Sequence, residues 1–200
     1  MDPFEISEIL ESFEVIVDTR EQATPKAQER YAAIGVPVQR ATLSYGDYCA
    51  SVRINGEDLY TENPIKAPCV IERKMNLDEL AGCLGRSRDR FKREFERAQA
   101  AGAKTYLLVE DGSWEGIIQH RYRSRFRPAA FLASLTAWCV RYDLSIIFCR
   151  SGTSGKLIRE ILYRDIKERL ERGEYDERER MDQAPSKDQG QFHLEDPEPV

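Results

Sequence analysis

The sequence predicts an α/β domain, a central mixed β-sheet flanked by helices. Three features lead there. Short β-branched apolar runs are bounded by turn residues, stretches with apolar residues at helical spacing lie between them, and strongly apolar strands recur late in the chain.

The elements follow in order. Phe13-Glu14-Val15-Ile16-Val17 reads as a buried strand ending at Asp18. Thr24-Pro25 offers an N-cap and a proline at the first helical position, and Gly35 closes that helix. Val36 to Leu43 is a second strand. Tyr48 to Ile54 and Asp58 to Thr61 flank Asn55-Gly56, a dipeptide that favours a tight hairpin. Asn63-Pro64 and Ala67-Pro68 break the chain before a strand from Cys69 to Lys74. Asn76 caps a helix through Leu84, and a longer one runs from Arg88 to Ala101, with Phe91, Phe95 and Ala98 on one face and Gly102 as its stop. Tyr106 to Val109 is a buried strand, Ser113 begins a short helix, and an arginine-rich loop leads to Pro128. Phe131, Leu132, Leu135, Trp138 and Cys139 repeat at helical spacing; Leu144 to Cys149 is the last strand, and a helix from Thr153 to Arg172 follows. The expected organisation is one domain over 1–172 and a charged, disordered tail over 173–200, where no apolar period remains.

Composition narrows the function classes. The apolar share of 41% argues against wholesale disorder, and no apolar run approaches the length of a membrane span. The acidic start, Met1-Asp2-Pro3-Phe4-Glu5, lacks the pattern of a signal peptide, so the expected location is the cytoplasm, with no membrane partner. Five cysteines without a Cys-x-x-Cys and two distant histidines argue against a zinc site or a disulfide framework. The net charge of −5 hides an asymmetry. Residues 171–200 hold ten acids and four bases, which leaves residues 1–170 near +1, so local patches decide what the surface binds.

The chemistry centres on Asp47, Glu72 and Lys74. Glu72 and Lys74 stand two apart on a strand and emerge on the same face, while Asp47 sits in a Gly46-Asp47-Tyr48 turn where two strands meet. Two carboxylates with a backbone carbonyl and waters suit a hard divalent cation such as Mg²⁺ or Mn²⁺. A lone Glu-x-Lys is common surface sequence, so the surrounding residues must carry the argument.

Those residues do so. Val15-Ile16-Val17-Asp18-Thr19-Arg20-Glu21, then Gly46-Asp47-Tyr48, then Val70-Ile71-Glu72-Arg73-Lys74 with Asp78 after three intervening residues, closely resembles the XPF/Hef-type structure-specific nuclease domain. That family's signature is Gly-Asp, a spacer, Glu-Arg-Lys, three residues and Asp. Arg90-Phe91 with Glu94 resembles its Gly-Arg-Leu-x-x-Gln helix, with Asp89 and Glu94 in place of the Gly and Gln. The resemblance covers residues 14–165. It implies a restriction-endonuclease-like fold and a metal-dependent endonuclease acting on branched, flapped or distorted DNA in repair, recombination or replication. Asp47 and Glu72 would hold the metal and Lys74 would be the catalytic lysine. Asp18, Arg20 and Glu21 would line the cleft, with Glu21 reaching the metal. Arg73 would support phosphate or the local network, and Asp78 would orient basic residues. A non-catalytic DNA-binding or scaffold subunit is the alternative, and RNA or single-stranded DNA are other substrates.

The stretch between Tyr48 and Glu72 is longer than usual for the family, and neither a tandem helix-hairpin-helix module nor a helicase motif is found. Junction preference and pairing, whether as a homodimer or with an accessory DNA-binding partner, therefore do not transfer with the resemblance. Two basic stretches are candidate DNA contacts. Arg86, Arg88, Arg90 and Arg93 belong to a run with six bases and three acids that would also suit a solvated helix face. Arg121, Arg123, Arg125 and Arg127 alternate with Tyr122, Ser124 and Phe126 without an acid among them, a pattern for backbone contact and base stacking or for a loop bracing nearby acids such as Glu110 and Asp111. Ser154-Gly155-Lys156 is not a phosphate loop, because the first glycine is missing and Leu157 replaces the hydroxyl.

Overall fold

A computed structural model of the chain describes residues 1–59 and 69–175. The expected breaks at Asn63-Pro64 and Ala67-Pro68, the end of the strand at Thr61, and the tail from 176 onward lie outside them. Glu14–Asp18 (β1), Val38–Ala41 (β2), Tyr48–Ile54 (β3), Glu57–Leu59 (β4), Val70–Lys74 (β5), Thr105–Glu110 (β6) and Leu144–Cys149 (β7) form one sheet. Its order is β2-β1-β3-β5-β6-β7, with β4 paired to β3. β3 runs antiparallel to β1 and β5, whereas β1–β2, β5–β6 and β6–β7 are parallel. Asn55 and Gly56 both take positive φ, as the tight β3–β4 turn requires.

The helices are Pro3–Glu11 (α1), Pro25–Ile34 (α2), Leu77–Leu84 (α3), Arg88–Ala100 (α4), Trp114–Ile118 (α5), Pro128–Tyr142 (α6) and Ser154–Glu171 (α7). Thr24, Asn76 and Ser113 cap α2, α3 and α5 as their sequences predict. The sequence reading did not anticipate α1, although its signal is there. Asp2 accepts from the N–H groups of Phe4 and Glu5, Glu5 accepts from the N–H of Asp2, and Pro3 occupies the first turn.

Strand alternation splits the core between the two faces of the sheet. Val15, Val17, Tyr48, Ala50, Ile71 and Leu108 pack against Ile158, Leu162, Ile166 and Leu170 of α7, with Ile34 of α2 and Ile6 of α1. On the opposite face Leu107 and Val109 meet Leu80 and Leu84 of α3, Phe91 and Phe95 of α4, and Phe131, Leu135 and Trp138 of α6. Each such buried side chain contributes about 1.5–3 kcal/mol of transfer free energy. The first core continues past the domain boundary expected at 172. Arg169 bridges Asp165 and Glu174, and Tyr175 is fully buried among the α7 residues. None of the five cysteines forms a disulfide, and no described helix is long and apolar enough to cross a membrane.

Because β3 is antiparallel to both neighbours, β1 and β5 point the same way. The C-terminal ends of β1, β5 and β6 and the start of β3 therefore share one edge, where ligands bind in open α/β sheets. Asp18, Asp47, Glu72, Lys74 and Glu110 are all at that edge.

Candidate active site

Asp47 is placed by backbone pairing. Its N–H donates to the Ile71 carbonyl at 2.9 Å and its own carbonyl accepts from Asp18 N–H at 2.9 Å, so the turn is stitched to β5 and β1. Gly46 takes φ +73°, and a Cβ there would fall 2.9 Å from Cβ of Val70. Only glycine fits so close an approach in that conformation. One carboxylate oxygen of Asp47 accepts from Arg73 N–H at 2.8 Å. Burial first, and then the neighbouring Glu72 carboxylate, push the Asp47 carboxyl up to about 8, against the pull of Lys74 and the Arg73 N–H.

Glu72 and Lys74 share one face of β5, and both are 7% exposed. Lys74 Nζ lies 2.6 Å from Glu72 Oε1, 3.9 Å from Glu79 Oε1 and 4.9 Å from the centre of the Phe91 ring. Burial pulls the ammonium pKa down, but Glu72 and Asp47 outweigh it and hold the group charged well above the ordinary lysine range. These groups line a cleft of about 660 Å³, together with Arg20, Glu21, Arg30, Arg90, Glu94 and Glu110.

Behind the carboxylates runs an ion-pair network that the sequence reading missed. Arg30 of α2 donates to Glu110 Oε1 at 3.0 Å and to the Tyr48 hydroxyl at 3.2 Å, and it pairs with Glu21 at 3.3 Å. Arg73 bridges Glu21 at 2.9 Å and Glu110 at 3.1 Å. Burial would lower the Arg73 pKa, but Glu21, Tyr48 and Glu110 keep it raised. Arg73 therefore holds the network with its guanidinium and Asp47 with its backbone. Glu21 Oε1 is shared among Arg30, Arg73 and the Tyr48 hydroxyl. A signal for Glu110 existed: its strand is an apolar run ending on an acid, like Val15-Ile16-Val17-Asp18 and Val70-Ile71-Glu72. Arg30 gave none, since it sits in an ordinary helical stretch.

Asp18 lies beneath the cleft, 1% exposed. Its oxygens accept from Arg20 Nε at 2.8 Å, Arg20 Nη2 at 2.9 Å, and the N–H groups of Arg20 and Leu43. Burial would raise its carboxyl, but these donors hold it below the usual range. Asp18 thus aims Arg20 at the cleft. Asp78 lies apart from the cleft lining. It accepts from Arg123 and Ser124 of the arginine-rich loop, which keep its carboxyl low against the opposing effect of desolvation.

The basic candidates sort by environment. Arg90 is exposed and lines the cleft, while Arg86 and Arg93 are exposed nearby on the α3–α4 connection and on α4. Arg88 is partly buried, donates to the Leu84 carbonyl and the Ser134 hydroxyl, and lies over the Trp138 ring at 5.2 Å. Arg121, Arg123, Arg125 and Arg127 all point outward. Tyr122 and Phe126, read from sequence as possible stacking surfaces, instead pack their rings against Phe131 at 5.2 and 5.5 Å, because the loop alternates and its apolar members find the core.

Among the described residues no group of three or more His, Cys, Asp or Glu side chains is arranged to cage a metal. Asp47 and Glu72 still fit Mg²⁺, which is commonly held through one or two carboxylates while keeping several waters. Burial and repulsion already penalise the charge on Asp47, and a cation would relieve both.

A mixed sheet with helices on both faces and acids at the β1/β5/β6 edge defines the restriction-endonuclease-like α/β class. A family model described as the ERCC4 domain matches residues 17–161, and the chain belongs to that family. Two solved structures agree in fold. The chain is 20% identical to XPF from Aeropyrum pernix, with a TM-score of 0.55, over 81% of this chain and 69% of that one. It is 22% identical to XPF from the same organism in complex with DNA, with a TM-score of 0.53, over 76% of this chain and 63% of that one. The fold is that of the XPF-type nuclease domain. Curated proteins gave no match.

Proposed function

We propose that the chain is a divalent-metal-dependent endonuclease that hydrolyses DNA phosphodiester bonds on branched, flapped or distorted duplexes, using Mg²⁺ or Mn²⁺. The observation that carries this reading is the pairing of Asp47 with Glu72 in one cleft, close enough that Glu72 disfavours charge on Asp47, with Lys74 kept charged beside them. Such a cation supplies Lewis acidity to a phosphodiester and activates water. Asp47 and Glu72 would hold it, whereas Glu21, which the resemblance implies would reach the metal, is engaged by Arg30, Arg73 and the Tyr48 hydroxyl at the cleft wall. Lys74 offsets negative charge that grows on the scissile group. Arg20 and Arg90, both lining the cleft, contact phosphate, and Arg121, Arg123, Arg125 and Arg127 contact the backbone farther out. Membership in the ERCC4 domain family and the solved XPF–DNA complex support DNA as the partner class.

The test is cleavage of labelled fork, flap and plain duplex DNA with Mg²⁺ or Mn²⁺. Asp47→Ala should lower turnover by about 10³-fold or more, the worth of several kcal/mol of charge stabilisation. Equal cutting by the two proteins would remove the metal assignment. The close Glu72–Lys74 pair, which occupies one oxygen of a proposed metal ligand, favours a second reading, a DNA-binding subunit without catalysis. Calorimetry separates the two: Mn²⁺ binding that Asp47→Ala abolishes supports the nuclease, and no binding supports the subunit.

A further inference from the structure

We propose that Asp78 is a positioning residue that clips the arginine loop 121–127 to the first turn of α3, directly after the strand carrying Glu72 and Lys74, and so sets how tightly DNA is held rather than how fast it is cut. This rests on the reading of that loop as a DNA contact.

The spacing of the motif has a structural reason. β5 ends at Lys74, Asn76 caps α3, and Asp78 falls in the first turn of that helix. Its carboxylate stands at a helix N-terminus only four residues from Lys74, so little slack separates the clip from the cleft. Asp78 Oδ1 accepts from Arg123 N–H at 2.6 Å and from Ser124 N–H at 3.0 Å, and Oδ2 accepts from Arg123 Nε at 3.2 Å. Both oxygens are thus committed to one loop that lies 45 residues away in sequence.

The loop is fixed from its other side as well. Tyr122 and Phe126 pack on Phe131, the Tyr122 hydroxyl donates to the Phe126 carbonyl at 2.6 Å, and His120 Nε2 lies 3.0 Å from the Ser124 carbonyl. Odd-numbered arginines are left facing water while even-numbered residues face inward. Aromatics alone would anchor the loop to α6. The Asp78 clip adds a tie to the start of α3, four residues beyond Lys74, and phosphates bound by the loop are thereby held in register with Asp47 and Glu72. The clip works mainly through two backbone N–H groups, because the Arg123 guanidinium is largely exposed and its ion pair is screened by water.

Three variants test this. In Asp78→Ala the loop should loosen, and trypsin should nick after Arg121, Arg123 and Arg125 about 10-fold faster, following the population of the open loop. Arg127 is followed by Pro128 and should resist. Fork DNA should bind about 10-fold more weakly, with a salt slope shallower by about 1–3 charges, while kcat and Mn²⁺ affinity stay within about 2-fold of wild type. Asp78→Asn keeps an oxygen for both N–H groups and should lie within about 3-fold of wild type in every measurement. Unchanged nicking in Asp78→Ala would overturn the clip. So would a loss of kcat or Mn²⁺ binding in Asp78→Asn with DNA affinity intact, since that marks a carboxylate needed for its charge; this arm holds even if Asp78→Ala does not fold. Arg125→Ala/Arg127→Ala should lose DNA affinity without faster nicking. Unchanged affinity there would overturn the loop's part in binding. A wild-type protein that cuts no DNA would instead overturn the nuclease reading, and the trypsin result would stand by itself.

Discussion

At the scale of single residues, Asp47 is central to the proposed site. Its carboxyl, raised to about 8, binds a proton in the folded state that the unfolded chain releases near its ordinary range around 4. A group with a raised folded pKa favours the fold fully at low pH. That contribution fades as pH climbs from about 4 to 8. In EDTA the thermal midpoint should therefore fall across this window by more in wild type than in Asp47→Asn, which has no charge to bury. Mn²⁺ at pH 8 should restore the wild-type midpoint and leave the variant unmoved, each kcal/mol regained appearing as about 2–4 °C for a domain of this size. Parallel curves for the two proteins would show that Asp47 is ordinarily ionised. Sequence made this residue visible because its turn needs Gly46, and a glycine next to an acid between strands is a readable mark. It could not show that Glu21 would be held by two arginines and a tyrosine, since those contacts join α2, β3 and β5 across the sheet edge.

At the scale of elements, strands and caps were legible because their signals are local. Thr24-Pro25 with Gly35, Asn76, Ser113 and Asn55-Gly56 each act within a few residues, and each element falls where its sequence places it. The Arg30–Glu110 pair was not, because its partners are 80 residues apart and meet only when α2 docks over the β6 end. Gly155 takes part in that docking: a Cβ there would collide with the Arg30 carbonyl and with Ala33, so the glycine mistaken most easily for a phosphate loop is a packing residue between α2 and α7. Both charges of the pair are buried, so removing one leaves the other short of a partner, with Glu21 alone to balance Arg30 or Arg73 alone to balance Glu110. Glu110→Ala should cost about 3–5 kcal/mol in urea unfolding. The double variant Arg30→Met/Glu110→Leu should recover most of that stability, yet it should weaken Mn²⁺ binding by about 10–100-fold, because Arg73 loses an anchor for the backbone N–H it offers Asp47. Recovery of stability together with full metal affinity would show that the network supports the fold and not the site.

At the scale of the whole molecule, two cores on opposite faces of one sheet hold the acidic edge between them. The α7 side includes residues beyond the boundary expected at Arg172. Composition placed that boundary there, where charged residues begin to dominate. A window of composition cannot see one aromatic among acids, and Tyr175 is such a residue: the chain turns after α7, Glu174 is held by Arg169, and the ring enters the cluster of Ile158, Leu162, Ile166 and Leu170. The ring and its hydroxyl make separable contributions. Tyr175→Ala opens a cavity beside α7 and should cost about 3–5 kcal/mol, as for other large aromatic truncations. The hydroxyl has no hydrogen-bond partner among the described residues, so Tyr175→Phe removes a buried polar atom that none of them satisfies and should match or exceed wild-type stability. Urea unfolding of the two variants measures both effects. If Tyr175→Ala unfolds with wild type, the ring adds nothing to the α7 core; if Tyr175→Phe loses stability, the hydroxyl has a partner and residues 173–175 are held by more than the ring.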